Sequence, residues 1–479
     1  MSPKLDRRWL ALIILCFGDL MIVLDATIVN VALPSIREDL GFSETSLAWV
    51  INAYLLTFGG FLLLSGRLGD LFGHRRLFSI GIVLFTVASV ACGLSTTQEL
   101  LIGARAIQGL GGAVVSAVAL SLIMTLFTET GDRAKAMGVF GFVASGGGTI
   151  GVLAGGLLTD ALNWHWIFLV NIPIGIAVYA LTVALLPADQ VAEQDRRVDY
   201  AGAVTVTVSL MLAVYAIVNG EDVGWLTAQT LLLLAAAAVL FVAFILIEAF
   251  VPKPLMPLGL FKHRTLATAN GVAVLLSGAM FAAFFLTALY LQLVLGYSPL
   301  EVGLAFLPTS LIMGAFSLGL SAKLVMRFGI KPPLVGGLLF MAAGLLLFAR
   351  MPVDGSFVVD FLPPGILLAI GAGMGFNPLL LAAMGDVEQS EAGLASGVVN
   401  TSFMMGGALG LAILASLSAS RTEDLRAAGE DTATALTGGY HWAFVAGAVF
   451  AVAGAVLSGL LIRAEQPAAM HAEPEPAQP

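Results

Sequence analysis

At 479 residues, with 59% apolar residues, 11% charged residues and a mean hydropathy of +0.97, the chain is too apolar for an ordinary soluble domain, where about a quarter of residues are charged. The formal net charge of −9 is divided among short loops and offers no basic surface for nucleic acid. Cys16 and Cys92, the two cysteines, lie in apolar runs without His or Cys at ligand spacing, so both read as packing residues and neither as a disulfide nor as a metal ligand.

Apolar runs of about twenty residues, each enough to cross a ~30 Å hydrocarbon core, recur along the whole chain. The first, about 9–32, is too long for a cleavable signal peptide and holds two acids, Asp19 and Asp25. The second, 46–65, carries Asn52 and Tyr54, and a charged, glycine-rich turn from Gly66 to Arg76 leads into the third, 77–95. The fourth, 99–124, holds Arg105 and Gln108, and the fifth, 134–158, holds Gly147, Gly151, Gly155 and Gly156. Further runs follow at 166–187, 200–219, 226–250, 265–294 (with Gln292), 301–322, 332–349, 361–384 (with Asn377), 393–418 (with Asn400) and 440–462. That makes about fourteen helical spans, with both termini on one side of the membrane. Of the 22 basic residues, only Arg37, Arg350, Arg421 and Arg426 fall in loops of the opposite side and Arg105 inside a span, so the termini are expected to be cytoplasmic.

Two patterns recur half a chain apart. The turn Gly-Arg-Leu-Gly-Asp-Leu-Phe-Gly-His-Arg-Arg (66–76) has a fainter copy at 322–331, with Gly329 in the place of Gly73 and Lys331 in that of Arg75. Gly147, Gly148 and Gly151 of the fifth span return as Gly406, Gly407 and Gly410 of the thirteenth. A duplicated bundle follows: a six-helix half over 1–187, two inserted spans with their linkers over 188–264, a second half over 265–463, and a tail, 464–479, too poor in apolar residues to fold.

An ionisable side chain inside a span is costly, by at least ~2.5 kcal/mol at a helix centre, so Asp19, Asp25 and Arg105 are the first functional candidates. Asn52, Tyr54, Gln108, Gln292, Asn377 and Asn400 are weaker candidates for cavity lining, while Glu248, Glu301 and Asp360 lie near span ends and read as interfacial. Asp19 and Asp25, six residues apart, differ by about 240° around the helix and ~9 Å along it, which forbids a close dyad and predicts different surroundings. Asp70 suits the N-terminal dipole of a partner helix, and Arg75 and Arg76 anchor topology. Gly147, Gly151 and Gly155 form a smooth ridge for helix packing.

Four of these stretches resemble signatures of one family. Leu24-Asp25-Ala26-Thr27-Ile28-Val29-Asn30-Val31-Ala32-Leu33-Pro34, Gly66 to Arg76, Arg105-Ala106-Ile107-Gln108-Gly109 and Gly147 to Gly156 are similar, in that order, to the span-one, loop, span-four and span-five motifs of fourteen-span drug:proton antiporters in the major facilitator superfamily. The resemblance implies an all-α membrane fold and proton-coupled efflux of lipophilic drugs or antibiotics, cationic ones included, across the bacterial inner membrane. It implies no cofactor beyond the proton gradient, and no partner beyond substrate, protons and lipid, with a monomer expected. It gives Arg105 a part in proton transfer with Asp25, and Asp70 a contact with the thirteenth span near Gly393 that locks the outward-facing state. Asp19 departs from the neutral residue common at that position and is assigned to the central cavity, as proton site or counter-charge. Val152 stands where the span-five motif usually has proline, which keeps open an uptake or metabolite carrier on the same fold. A membrane enzyme or sensor is the remote reading, since there is no His, Cys or carboxylate cluster and no loop longer than about twenty residues, and the lack of a Walker sequence argues against ATP-driven transport.

Overall fold

The computed structural model describes residues 7–127, 129–186, 199–252, 254–385 and 392–462, and every regular element among them is helical. The expected tail and most of the first linker lie outside the described residues, as do the side chain of Asp70 and the surroundings of Gly393. In chain order the main helices are α1 (Arg7–Leu40), α2 (Trp49–Phe72), α3 (His74–Gly93), α4 (Gln98–Leu126), α5 (Thr130–Ala161) and α6 (Asn171–Leu185). A hairpin follows, α7 (Tyr200–Val223) and α8 (Ala228–Phe250), and then α9 (Arg264–Leu289) and α10 (Pro299–Ala315). The last four are α11 (Lys331–Phe348), α12 (Leu362–Gly385), α13 (Ala392–Ala427) and α14 (Thr432–Leu461).

Twelve helices among the described residues are long and apolar enough to cross a membrane. The fifth and tenth expected spans are not among those twelve: α5 is 32 residues long, and α10 continues past a wide turn with Gly319 at φ 133° into Ser321–Phe328. A count of fourteen rests on adding these two.

Helix ends follow local chemistry. The Thr97, Asp199 and Thr227 side chains accept from backbone N–H groups at the starts of α4, α7 and α8, and Ser298 with Glu301 forms a reciprocal cap on α10. The repeated turn is visible in the backbone. Gly73, at φ 95°, ends α2, and Gly329, at φ 79°, ends the continuation of α10; side chains rarely adopt such angles, so both copies of the turn need glycine. One helix overruns its expected end. α1 continues through Pro34 to Leu40, eight residues past the expected limit, with the amide of Asn30 donating to Ala26 O and Thr27 O one turn earlier.

Packing is paired across the repeat. The glycine ridge of α5 lies on α1: a methyl group at Gly147 would meet Leu20 and Val23, one at Gly151 would meet Thr27 and the Leu24 carbonyl, and one at Gly155 the Ile28 carbonyl. In the second half α13 lies on α9 in the same way, Gly406 against Val274 and Gly410 against Gly278. The two sets of helices meet where α5 packs on α10 and α2 on α13. Gly156 closes the first of these seams against Pro299 and Leu300, and Gly303 approaches the Val152 carbonyl from the other side. α7 packs against α2 and α13, while α8 packs mainly on α7 and has only 17% of its apolar stretch buried.

One expectation is corrected. Glu301 and Asp360 do sit in helix-capping positions near chain bends, but Glu248 is not interfacial: it is buried beneath the segment that follows α8, and its Oε2 accepts from Met256 N at 3.0 Å.

Candidate functional site

The six helices α1 to α6 enclose one buried polar cluster, and five of them contribute to it. Asp25 of α1 and Arg105 of α4 form an ion pair, Nη1 to Oδ2 at 2.5 Å, with 0% and 1% of their side chains exposed. Asp25 Oδ1 accepts from Gln108 Nε2 (2.7 Å) on α4 and from Asn171 Nδ2 (3.1 Å) on α6. Both amides also donate to Ser89 Oγ on α3, which in turn donates to the Phe168 carbonyl. Arg105 Nε donates to Val50 O on α2 at 2.9 Å, and Nη1 reaches Gln108 Oε1 at 2.7 Å. The guanidinium lies 4.4 Å from the centre of the Tyr54 ring and 5.6 Å from that of Phe168. Cys92 closes the cluster with Sγ 3.6 Å from Gln108 Oε1.

This arrangement has a chemical consequence. With its charge, the carboxylate repays the burial of the guanidinium; removing one partner of such a pair costs about 3–5 kcal/mol. A proton on Asp25 would cancel that attraction, yet Arg105 would keep four neutral supports: the Val50 carbonyl, the Gln108 amide oxygen and two aromatic faces. The cluster can therefore lose its ion pair without stranding the cation, and the event would reach α1, α2, α3, α4 and α6 together.

Asp19 lies apart from it. Buried to 4% exposure, it accepts from Ser116 Oγ of α4 at 3.1 Å. The two acids thus have different partner sets, as the 240° separation predicts, although both sets include side chains of α4, which packs against α1. Gln292 Nε2 donates to Val31 O at 2.9 Å, a hydrogen bond between the two sets of helices at the end of α1 remote from the Gly66–Arg76 turn. Asn52 is fully buried with neither amide atom bonded, and the Tyr54 hydroxyl is likewise unpaired. Asn377 and Asn400 are half-buried on α12 and α13. In the loop turn, Arg75 donates to the Val183 carbonyl near the end of α6 at 2.5 Å and Arg76 is exposed, while Gly66 is half-buried against Ala117.

Ser89, Asn171 and Ser116 were not among the sequence candidates, nor was the pair Ser402–Asn270 (2.6 Å) that links α13 to α9. Serine and asparagine are ordinary at membrane helix contacts. Asn171 and Asn270, amides in otherwise apolar runs, carried a signal of their own.

Comparison with known proteins matches residues 15–411 to the model described as Major Facilitator Superfamily. The puromycin resistance protein pur8 of Streptomyces alboniger is 39% identical over 457 residues, 95% of this chain and 90% of that protein. The cephamycin export protein CmcT of Amycolatopsis lactamdurans is 37% identical over 99% of this chain and 97% of its own length. The multidrug resistance protein Stp of Mycobacterium tuberculosis is 36% identical over 86% of this chain and 76% of its own. Among solved structures, a bacterial homologue of the human lysosomal transporter Spinster, inward-facing and unoccupied, superposes with a TM-score of 0.67 at 17% identity over 98% of this chain and 100% of that one. A D-xylose–proton symporter gives 0.66 at 14%, over 95% and 98%. The latter two likenesses concern the fold. Coverage and identity across the resistance and export proteins establish the family: the chain is a membrane protein that belongs to the major facilitator superfamily.

Proposed function

We propose that this chain exports lipophilic small molecules, cationic ones among them, from the bacterial cytoplasm in exchange for protons. The observation that carries the proposal is the buried Asp25–Arg105 pair, tied by Gln108, Asn171 and Ser89 into five helices, in a chain whose relatives are named for antibiotic resistance and export. In this reading Asp25 takes up the proton and Arg105 transmits the change to the surrounding helices, while Asp19 faces the substrate as counter-charge or second acceptor. The turn from Gly66 to Arg76 gates the cytoplasmic side, with Asp70 held by the start of α13. Asn52, Tyr54, Gln292, Asn377 and Asn400 serve as polar lining.

The architecture proposed with it is fourteen crossings, in two six-helix halves over 1–187 and 265–463 with the α7–α8 hairpin of 188–264 attached at the periphery, both termini cytoplasmic, working as a monomer. The seams of α5 with α10 and of α2 with α13 support it, since each joins the same pair of positions in the repeat. Val152 in place of the usual proline leaves α5 helical without a break and favours, as second reading, a carrier for one metabolite. A dye panel in pump-deficient cells tests the two. Depletion of lipophilic cations that a protonophore abolishes supports export; accumulation of the same dyes sinks it in favour of uptake.

A further inference from the structure

The α7–α8 hairpin carries two buried acids at its base that the transport proposal does not use. Asp199 precedes α7 and Glu248 sits in the last turn of α8, 4% and 3% exposed. Each spends one oxygen on the backbone: Gly202 N donates to Asp199 Oδ1 at 2.7 Å, and Met256 N donates to Glu248 Oε2. The other two oxygens, Asp199 Oδ2 and Glu248 Oε1, are buried without a hydrogen-bond partner. They converge: a methyl group placed on Gly202 would lie 2.5 Å from the first and 2.7 Å from the second, so they are no more than about 5 Å apart.

Two acceptors facing each other away from water are unfavourable unless something stands between them. A metal ion is a poor candidate, since no group of three or more His, Cys, Asp or Glu among the described residues is placed to hold one, and the Gly202 backbone edges the gap. Among the described residues no cation bonds either unpaired oxygen. At this end of the elements packed here the charged or titratable groups are Tyr200 on α7, Arg67 and Asp70 on α2, Lys262 and His263 between α8 and α9, and Arg264 at the start of α9; Tyr215, Glu221 and Asp222 lie further along α7, Tyr54 near the opposite end of α2, and α13 has no charged residue before Arg421. None of those whose side chains are described bonds either carboxyl. Arg196, Arg197 and Lys253 lie outside the described residues. A carboxyl that keeps its proton satisfies both oxygens at once, donating from one acid to the other, as in carboxyl dyads where two like charges cannot both persist.

We propose that Asp199 and Glu248 form a second proton-binding site, away from the transport cluster, in which the two buried carboxyl groups hold one proton between them and so clasp the base of the inserted hairpin. The proton comes from water on that face of the membrane, and no other bond is made or broken. Because Glu248 also holds Met256, the shared proton fastens both segments that flank the hairpin.

Infrared difference spectroscopy of the purified full chain at neutral pH reads this directly. Glu248→Gln keeps the acceptor for Met256 N, and Asp199→Asn keeps the helix cap. Wild type minus either variant should show the loss of one protonated carboxyl C=O stretch, and the same band should vanish from wild type as the pH is raised. Difference spectra holding only ionised carboxylate bands, as an ion pair with Arg196, Arg197 or Lys253 would give, overturn the proposal. The proton-to-substrate ratio of Glu248→Gln in liposomes should equal that of wild type; a reduced ratio would put the pair on the transport path and contradict its separate role.

Discussion

Asp25 and Arg105 are two side chains that neither the bilayer nor an apolar core would accept singly, and each satisfies the other. Asp25→Ala should therefore destabilise the protein by about 3–5 kcal/mol, because it removes the counter-charge of a buried guanidinium together with the acceptor that Gln108 and Asn171 share. Asp25→Asn, which preserves shape and an acceptor, should fold and reach the membrane yet lose proton-driven transport; thermal unfolding of both variants and liposome flux of the second check this pair of outcomes. For Asp19, a neutral substitution should separate substrates by charge. Asp19→Asn is expected to lose efflux of a lipophilic cation while keeping that of a neutral compound, and unchanged efflux of both would remove its assigned role. The two acids and the arginine were legible in the sequence because a charge inside an apolar run is expensive. Ser89, Asn171 and Ser116 were not, since their side chains are common at helix contacts and only the crossing of α1, α3, α4 and α6 brings them to the acids. Glu248 was misread for a related reason: position near a span end says nothing about a following segment that folds back over it.

At the scale of helices, glycine spacing decides how closely pairs approach. On α5, a methyl group at Gly151 would press on Thr27 and stand 2.9 Å from the Leu24 carbonyl, whereas one at Gly148 would meet only Thr27 Cγ2, at 3.9 Å. Gly151→Ala should thus cost about 1–3 kcal/mol of stability through overpacking, and Gly148→Ala close to nothing, a contrast that unfolding in detergent can measure. The turn between α2 and α3 offers a different test. Asp70→Asn should impair transport with little change in folding or membrane level, because a neutral side chain loses the helix-dipole attraction proposed for one state only; wild-type flux by a correctly inserted variant would leave the turn a topological role alone. The periodic glycines and the position of Gly73 were readable in advance. The run of α1 through Pro34 and the wide turn at Phe316–Leu320 were not, since tertiary neighbours and not local propensity sustain them.

For the molecule as a whole, the repeat read from two short patterns has a counterpart in packing, with α5 on α1 matched by α13 on α9, and the two cross-seams exchanging the same positions. The two sets of helices are joined near Gln292 and Val31 and near Gly156 and Pro299, remote from the Gly66–Arg76 turn, and also beside that turn, where Gly397 of α13 meets Leu63 of α2. In the proposed reading, a cavity lined by apolar groups and a few amides would select substrates by size, apolarity and charge and not by one motif. The coupling ion is the more decisive matter, and it has one direct measurement. The purified protein in liposomes, given an imposed proton gradient and no other energy source, should move a lipophilic cation against its concentration gradient as protons flow the opposite way, and Asp25→Asn should abolish both flows together. Cation movement that is indifferent to the proton gradient, or that runs in the same direction as the protons, would contradict the account.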